Sequence, residues 1–163
     1  MTWTKVKLPL LETLKWLSVV LVVLFLSTML AKGKESQTEF SVMSEAVTAS
    51  ADLTSMQQAD NQMIKRLYGL DPADYDGVLL YYPTTNMGAE ELLLVKLKDT
   101  AQQETVSAAI EARLRTQKSS FDGYGVEQYA MLEKSVTELQ GNYALLIVAA
   151  DTEPVRQAFL GAF

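Results

Sequence analysis

From Tyr81 to Glu91 the chain reads YYPTTNMGAEE, which gathers two phenols, two hydroxyls, an amide and a pair of carboxylates in one short stretch. Such an inventory suits a polar ligand, a glycan or a peptide, held by hydrogen bonds and aromatic stacking. Gly88 permits close backbone approach. Tyr82, Thr84, Thr85, Asn86, Met87 and Glu90 are therefore candidate binding residues. The same letters also make a plain bend. Pro83 ends a strand, Asn86 and Gly88 supply turn conformations, the threonines satisfy loop backbone groups, and Glu90 and Glu91 solvate the start of the next strand. Tyr81 and Tyr82 must face opposite sides of a strand, so one at most lines a surface site.

A second cluster, Phe121, Tyr124 and Tyr129 around Gly123 and Gly125, is open to two readings. Either it packs between a long helix and a strand, or it forms an exposed aromatic shelf that adds Tyr124 to the candidate binding set. Other chemistry is restricted by composition. The chain has no cysteine and no histidine, which removes disulfides, thiolate nucleophiles, the usual zinc sites and every imidazole dyad or triad. Asp71, Asp74 and Asp76 alternate as calcium ligands do, yet the downstream glycine and distal glutamate of such a loop are missing. No metal site is expected. SSFDGYG and EKSVTE contain no Ser-x-x-Lys arrangement, and neither a phosphate loop nor a dinucleotide fingerprint is present, so no catalytic residue and no cofactor are assigned. Glycoside hydrolysis by carboxylates would need Glu90 or Glu91 with a distant aspartate, because adjacent side chains on an extended strand point apart.

Charge divides the chain. Residues 1–34 hold five lysines against Glu12, whereas the whole chain carries a net charge of −6, so the body is acidic and the leader basic. An acidic body repels phosphate backbones, and no basic patch is interleaved with aromatics, which argues against nucleic-acid binding. Within the leader, WLSVVLVVLFLSTMLA (residues 16–31) is uncharged and bracketed by Lys15 and Lys32. As a helix it spans about 24 Å, a little short of a hydrocarbon core of roughly 30 Å. Snorkelling lysines and the apolar residues Leu8, Leu10, Leu11 and Leu14 extend it. The expectation is a single-pass cell-membrane anchor with the C-terminal domain outside the cytoplasm. Secretion after signal cleavage at Ala31-Lys32-Gly33 is the alternative.

The elements that must position the candidate residues follow from periodicity. KGKESQTE reads as a polar stalk. Phe40, Met43 and Val47 fall at helical spacing, and a second helix runs from Asp60, an N-cap, to a stop at Gly69. SADLTSMQQ between them reads as a connection. LDPADYDG is a turn cluster, VLLYYP a strand, ELLLVKLK a second strand, and Asp99-Thr100 caps a helix of about eighteen residues with Val106, Ile110 and Arg113 on one face. AMLEKSVTEL reads as extended, Gly141-Asn142 as a hairpin turn, YALLIVAA as a buried strand, and Asp151-Thr152 with Pro154 as the start of a last helix. Aligned on Asp-Thr, ELLLVKLKDT and YALLIVAADT suggest either two tandem strand-strand-helix units or a recurrent helix cap. The expected fold is α+β: an N-terminal transmembrane helix, then a four-stranded, mainly antiparallel sheet with helices packed on one face. It divides into an anchor or signal segment (1–34), a stalk with N-terminal helices (35–69) and an α+β domain (70–163).

RLYGL, DGVLLYYPTTNMGAEELLLVKLKD, SSFDGYGVEQYAMLEKS and GNYALLIVAAD together resemble the bacterial domain-of-unknown-function family 4358, most specifically over Tyr68 to Asp99. The resemblance implies a chain of anaerobic Gram-positive bacteria with a membrane segment or export signal and one outer domain. It implies that the Tyr82 to Met87 loop and the Phe121 to Tyr129 segment belong to the family's pattern. No catalytic role comes with it. The functional expectation is a membrane-anchored accessory or binding module of the cell envelope, not an enzyme, with a glycan or envelope protein as partner. The alternatives are a small carboxylate-based glycan hydrolase and an accessory factor in surface polysaccharide O-acylation.

Overall fold

The computed structural model of the protein describes residues 12–23 and 36–163. The chain divides into two compact units, Met1–Gly33 and Lys34–Phe163. In the first, residues 12–23 form helix α1, exposed along its length. Of the expected anchor, residues 16–23 belong to α1, while 24–31 lie outside the described residues. Among the described residues no helix is long and apolar enough to cross a membrane.

The second unit runs α2 (Phe40–Ala49), β1 (Met56–Gln58), α3 (Asn61–Tyr68), β2 (Gly77–Pro83), β3 (Glu91–Lys96), α4 (Gln103–Phe121), α5 (Val126–Glu133), β4 (Val136–Gln140), β5 (Tyr143–Val148) and α6 (Glu153–Gly161). The fold is α+β, but the sheet has five strands in the order β1-β2-β3-β5-β4, all antiparallel, rather than the four expected. The added strand, Met56–Gln58, comes from the segment read as a connection. At the other edge the expected extended run AMLEKSVTEL starts late, because Met131 to Glu133 finish α5 and only Val136 onward is strand.

Helices cover both faces of the sheet, which corrects the expectation of one. On the first face Leu80, Leu93, Val95 and Leu146 meet Ile64 of α3, Val106 and Ile110 of α4, and Leu132 of α5. On the second, Leu92, Leu94, Leu145 and Ile147 meet Met43 and Val47 of α2 and Val155 and Phe159 of α6. The physical reason is legible in composition: β5 is buried at all its positions, and a strand covered on both sides carries an unbroken apolar run instead of an alternation. The Asp-Thr repeat is not a duplication of structure. Leu93 and its aligned counterpart Leu145 point to opposite cores, and a one-residue offset in register exchanges faces. Hence α4 and α6, each following an Asp-Thr, pack on opposite sides.

Local signals behave as capping chemistry requires. Asp60 Oδ1 accepts from Met63 N at 2.7 Å, and Gly69 ends α3 with φ 69°. Asp99 and Gln102 form a capping box that starts a 3-10 turn (Thr100–Gln102) ahead of α4. The expected stalk is docked in its described part. Ser36 N donates to Asn142 Oδ1 at 3.0 Å, Thr38 Oγ1 donates to Ala162 O at 2.6 Å, and the Tyr143 hydroxyl donates to Thr38 O at 2.9 Å.

Candidate functional site

Three elements enclose a cleft of about 470 Å³ on the first face of the sheet. From α3 come Met63, Arg66 and Leu67, whose spacing places them on one helix face. From the C-terminal half of α4 come Arg113, Thr116, Gln117, Ser120 and Phe121, which repeat at the same three- and four-residue intervals. The end of β2 and its following loop contribute Tyr82, Pro83, Thr85, Asn86 and Gly88. Tyr82 faces this side and Tyr81 the other, as alternation along the strand requires.

Of the seven candidate binding residues, the structure brings Tyr82, Thr85 and Asn86 into this cleft. Thr84 is used elsewhere: its N and its Oγ1 both donate to Ser55 O, at 3.0 and 3.1 Å, tying the loop to the segment before β1. Met87 is 59% exposed and Tyr124 63% exposed, and neither lines the cleft. Tyr124 tilts against Phe121 with ring centroids 6.1 Å apart. Phe121 is buried, so the aromatic cluster is part core and part shelf. Glu90 accepts from Ala89 N at 3.0 Å and lines a second cavity of about 240 Å³, with Asp52 and Asp151.

Glu91 does not solvate the strand start as expected, for it is wholly buried on the first face. Its Oε1 accepts from the Tyr68 hydroxyl and from Arg113 Nε at 3.0 Å. Its Oε2 accepts from Arg113 Nη2 at 2.7 Å and Gln117 Nε2 at 2.8 Å. A buried charge persists only when paired and hydrogen-bonded, and four donors meet that requirement here. Burial, followed by the Glu91 carboxylate, pushes the Tyr68 phenol well above its ordinary range, so it remains a donor. At Arg113 burial opposes the charge, but the hydrogen bonds and attraction of Glu91 outweigh it and hold the guanidinium more firmly protonated.

This network forms the floor of the cleft. Arg113 and Gln117 reach down to Glu91 and also line the space above, and Arg113 Nη1 finds no acceptor among the described residues. Gln117 Oε1 is buried and has no hydrogen-bond partner among the described residues. Arg66, Arg113 and Gln117 were not among the residues singled out from sequence as binding groups. A signal for two of them existed, since Arg113 and Gln117 continue the Val106–Ile110 face of α4, where polar side chains are out of place unless employed.

Elsewhere Asp71, of the calcium-like spacing, accepts from Ala73 N at 3.1 Å and pairs with Lys65 at 2.6 Å. Among the described residues no group of three or more acidic, histidine or cysteine side chains is placed to hold a metal ion. The cleft can therefore recognise a polar molecule through guanidinium, amide, hydroxyl and phenol groups, with Leu67 and Tyr82 offering apolar surface.

No curated protein and no solved structure matches this chain. A family model does, over residues 49–149, a span that holds β1 to β5 and all of the cleft-forming elements. The chain belongs to the family described as a domain of unknown function (DUF4358).

Proposed function

We propose that this protein is an accessory or binding module of the bacterial cell envelope, held to the membrane through residues 16–31, whose outer domain takes a glycan in the cleft between α3, α4 and the β2–β3 loop. The observation that carries the reading is the cleft's lining: two amides, three hydroxyls, a phenol and two guanidinium groups around a half-apolar wall. Saccharides offer many hydroxyls that both donate and accept, together with apolar C–H faces that pack on aromatic rings, and this lining is complementary to both. Among the described residues no aspartate or glutamate lines this cleft, which favours binding over carboxylate chemistry there. The lysine-bracketed apolar run supports the anchor.

The test is capture of envelope glycan by the full-length protein in detergent, beside a variant carrying Tyr82→Ala, Thr85→Ala and Asn86→Ala, with folding followed by circular dichroism. Glycan retained by the parent and lost by the folded variant supports the reading. Equal retention by both removes the cleft from consideration.

One observation favours a second reading. Glu90 shares its cavity with Asp52 and Asp151, and carboxylates across a cavity are what glycoside hydrolysis uses. Each is already turned toward local backbone, Asp52 to Thr54 N, Asp151 to Glu153 N and Glu90 to Ala89 N. Release of reducing ends from envelope polysaccharide that disappears in Glu90→Gln, and persists in the triple variant, would establish that reading instead.

A further inference from the structure

Resting on the glycan-binding reading above, we infer that the ligand of this cleft is acidic, a saccharide that carries a uronic acid. Arg66 lines the cleft, is exposed, and forms no ion pair with any described residue. The charge of Arg113, by contrast, is matched by Glu91 beneath it. With no acidic side chain among the described residues of the lining and a net charge of −6 over the chain, the cleft is an electropositive spot on an acidic protein, and it selects for an anion. The free Nη1 of Arg113 and the guanidinium of Arg66 supply planar donors of the kind that match a carboxylate.

Charge alone would admit any small anion. Gln117, which lines the cleft, narrows the choice, because its buried Oε1 has no donor among the described residues. Such an atom bears a desolvation cost until an N–H or O–H reaches it. Inorganic phosphate can satisfy the guanidinium groups with its acceptor oxygens and can donate through P–OH, but it has no C–H face to set against Tyr82 and Leu67. A neutral sugar can donate to Gln117 and leaves Arg66 unmatched. A uronic acid carries a carboxylate and ring hydroxyls on one rigid frame, and its C–H face suits Tyr82 and Leu67, both of which pack against the core beside the cleft.

The experiment is isothermal titration calorimetry of the full-length protein in detergent with three probes: trigalacturonic acid, the neutral trisaccharide galactotriose, and inorganic phosphate. The acidic trisaccharide is expected to bind about tenfold or more tighter than the neutral one, the difference made by one charge-assisted contact. In Arg66→Gln, an exposed position whose substitution leaves the circular dichroism spectrum unchanged, that ratio falls to about one. Added salt narrows it in the parent. Equal binding of both trisaccharides overturns the acidic ligand and leaves the glycan reading standing. No binding of either trisaccharide overturns both. Phosphate binding as tight as the acidic trisaccharide, or a ratio untouched in Arg66→Gln, overturns the assignment of the carboxylate to this cleft.

Discussion

Arg113 Nη2 lies 2.7 Å from Glu91 Oε2, and Arg113 Nε lies 3.0 Å from Oε1, a two-pronged pair that joins α4 to the first residue of β3. Glu91 is wholly buried and the Arg113 side chain is 14% exposed. Fork geometry of this kind fixes orientation as well as distance. It holds the cleft-forming half of α4 at a set height above the sheet, and Gln117, one turn on, shares the same carboxylate.

Removing one partner of this pair leaves the other's charge in a poor solvent. Arg113→Met is expected to cost about 3–5 kcal/mol, the usual consequence of orphaning a buried charge. Arg113→Met combined with Glu91→Leu is expected to recover only part of that loss, since both charges are gone but the buried Tyr68 hydroxyl and Gln117 amide lose their acceptor. Urea denaturation of the parent, the single and the double variants measures it. A single variant within about 1 kcal/mol of the parent would mean that Glu91 is hydrated in solution.

The second face of the sheet carries its own core, and Phe159 of α6 is wholly buried in it. Phe159 also meets Tyr143 and Phe163 edge to face, with centroids 6.5 and 5.1 Å apart. Phe159→Ala is expected to destabilise by about 3–5 kcal/mol. Val126→Ala, at a position 79% exposed, should stay within about 0.5 kcal/mol. Thermal melts of the two variants check both, and equal effects would show that α6 is not seated on the sheet.

The parts of this fold that the sequence announces are those where one local signal suffices. Asp60 and Gly69 bound α3, Asp99 caps the long helix, and the apolar runs of β3 and β5 become central strands. What it hides is pairing. Met56–Gln58 has no apolar alternation and becomes a strand only because β2 offers it a partner, Gln57 opposite Tyr82. The unbroken run LLLV already implied cover on both faces, so the second helix layer was readable there. The site divides the same way. Tyr82, Thr85 and Asn86 are neighbours in sequence and reach the cleft together, whereas Arg66, Arg113 and Gln117 arrive from helices that only tertiary packing brings alongside. Glu91 was misjudged because a carboxylate at a strand end is ordinarily solvated, and its four donors come from Tyr68, Arg113 and Gln117, distant in the chain.

Three buried phenols, Tyr68, Tyr75 and Tyr143, make the protein sensitive to alkali. Burial, with Asp76 nearby, pushes Tyr143 up to about 12, and Tyr68 is raised in the same direction by burial and Glu91. An unfolded tyrosine ionises near pH 10. Above that pH the unfolded chain gives up protons that the native one retains, so stability that is fully present below pH 10 is lost as pH rises toward about 12. The urea midpoint is expected to fall over this range, and to fall less steeply in Tyr143→Phe, which starts lower because its bond to Thr38 O is gone. Absorbance of tyrosinate against pH supplies the direct check: part of the signal is expected to be delayed until unfolding. A midpoint equally steep in parent and variant would show that Tyr143 ionises freely in the native state.

Gly77 opens β2 opposite Lys96 of β3, and a Cβ placed there would enter the ring of Phe40 at the start of α2. The ring lies flat on the backbone because nothing projects from it. Gly77→Ala therefore forces either the ring or the helix end to move, an overpacking expected to cost about 1–3 kcal/mol. A gain in strand propensity from removing glycine works in the opposite direction, by about 0.5–1 kcal/mol, so steric conflict decides the sign. Phe40→Ala relieves it at the expense of packing on the second core, where Phe40 is only partly buried. In a double-mutant cycle the two substitutions are expected to be non-additive, with Gly77→Ala harmless or mildly stabilising once Phe40 is truncated. Additive losses would show that Phe40 does not rest on Gly77, and that the start of α2 is seated elsewhere on the sheet.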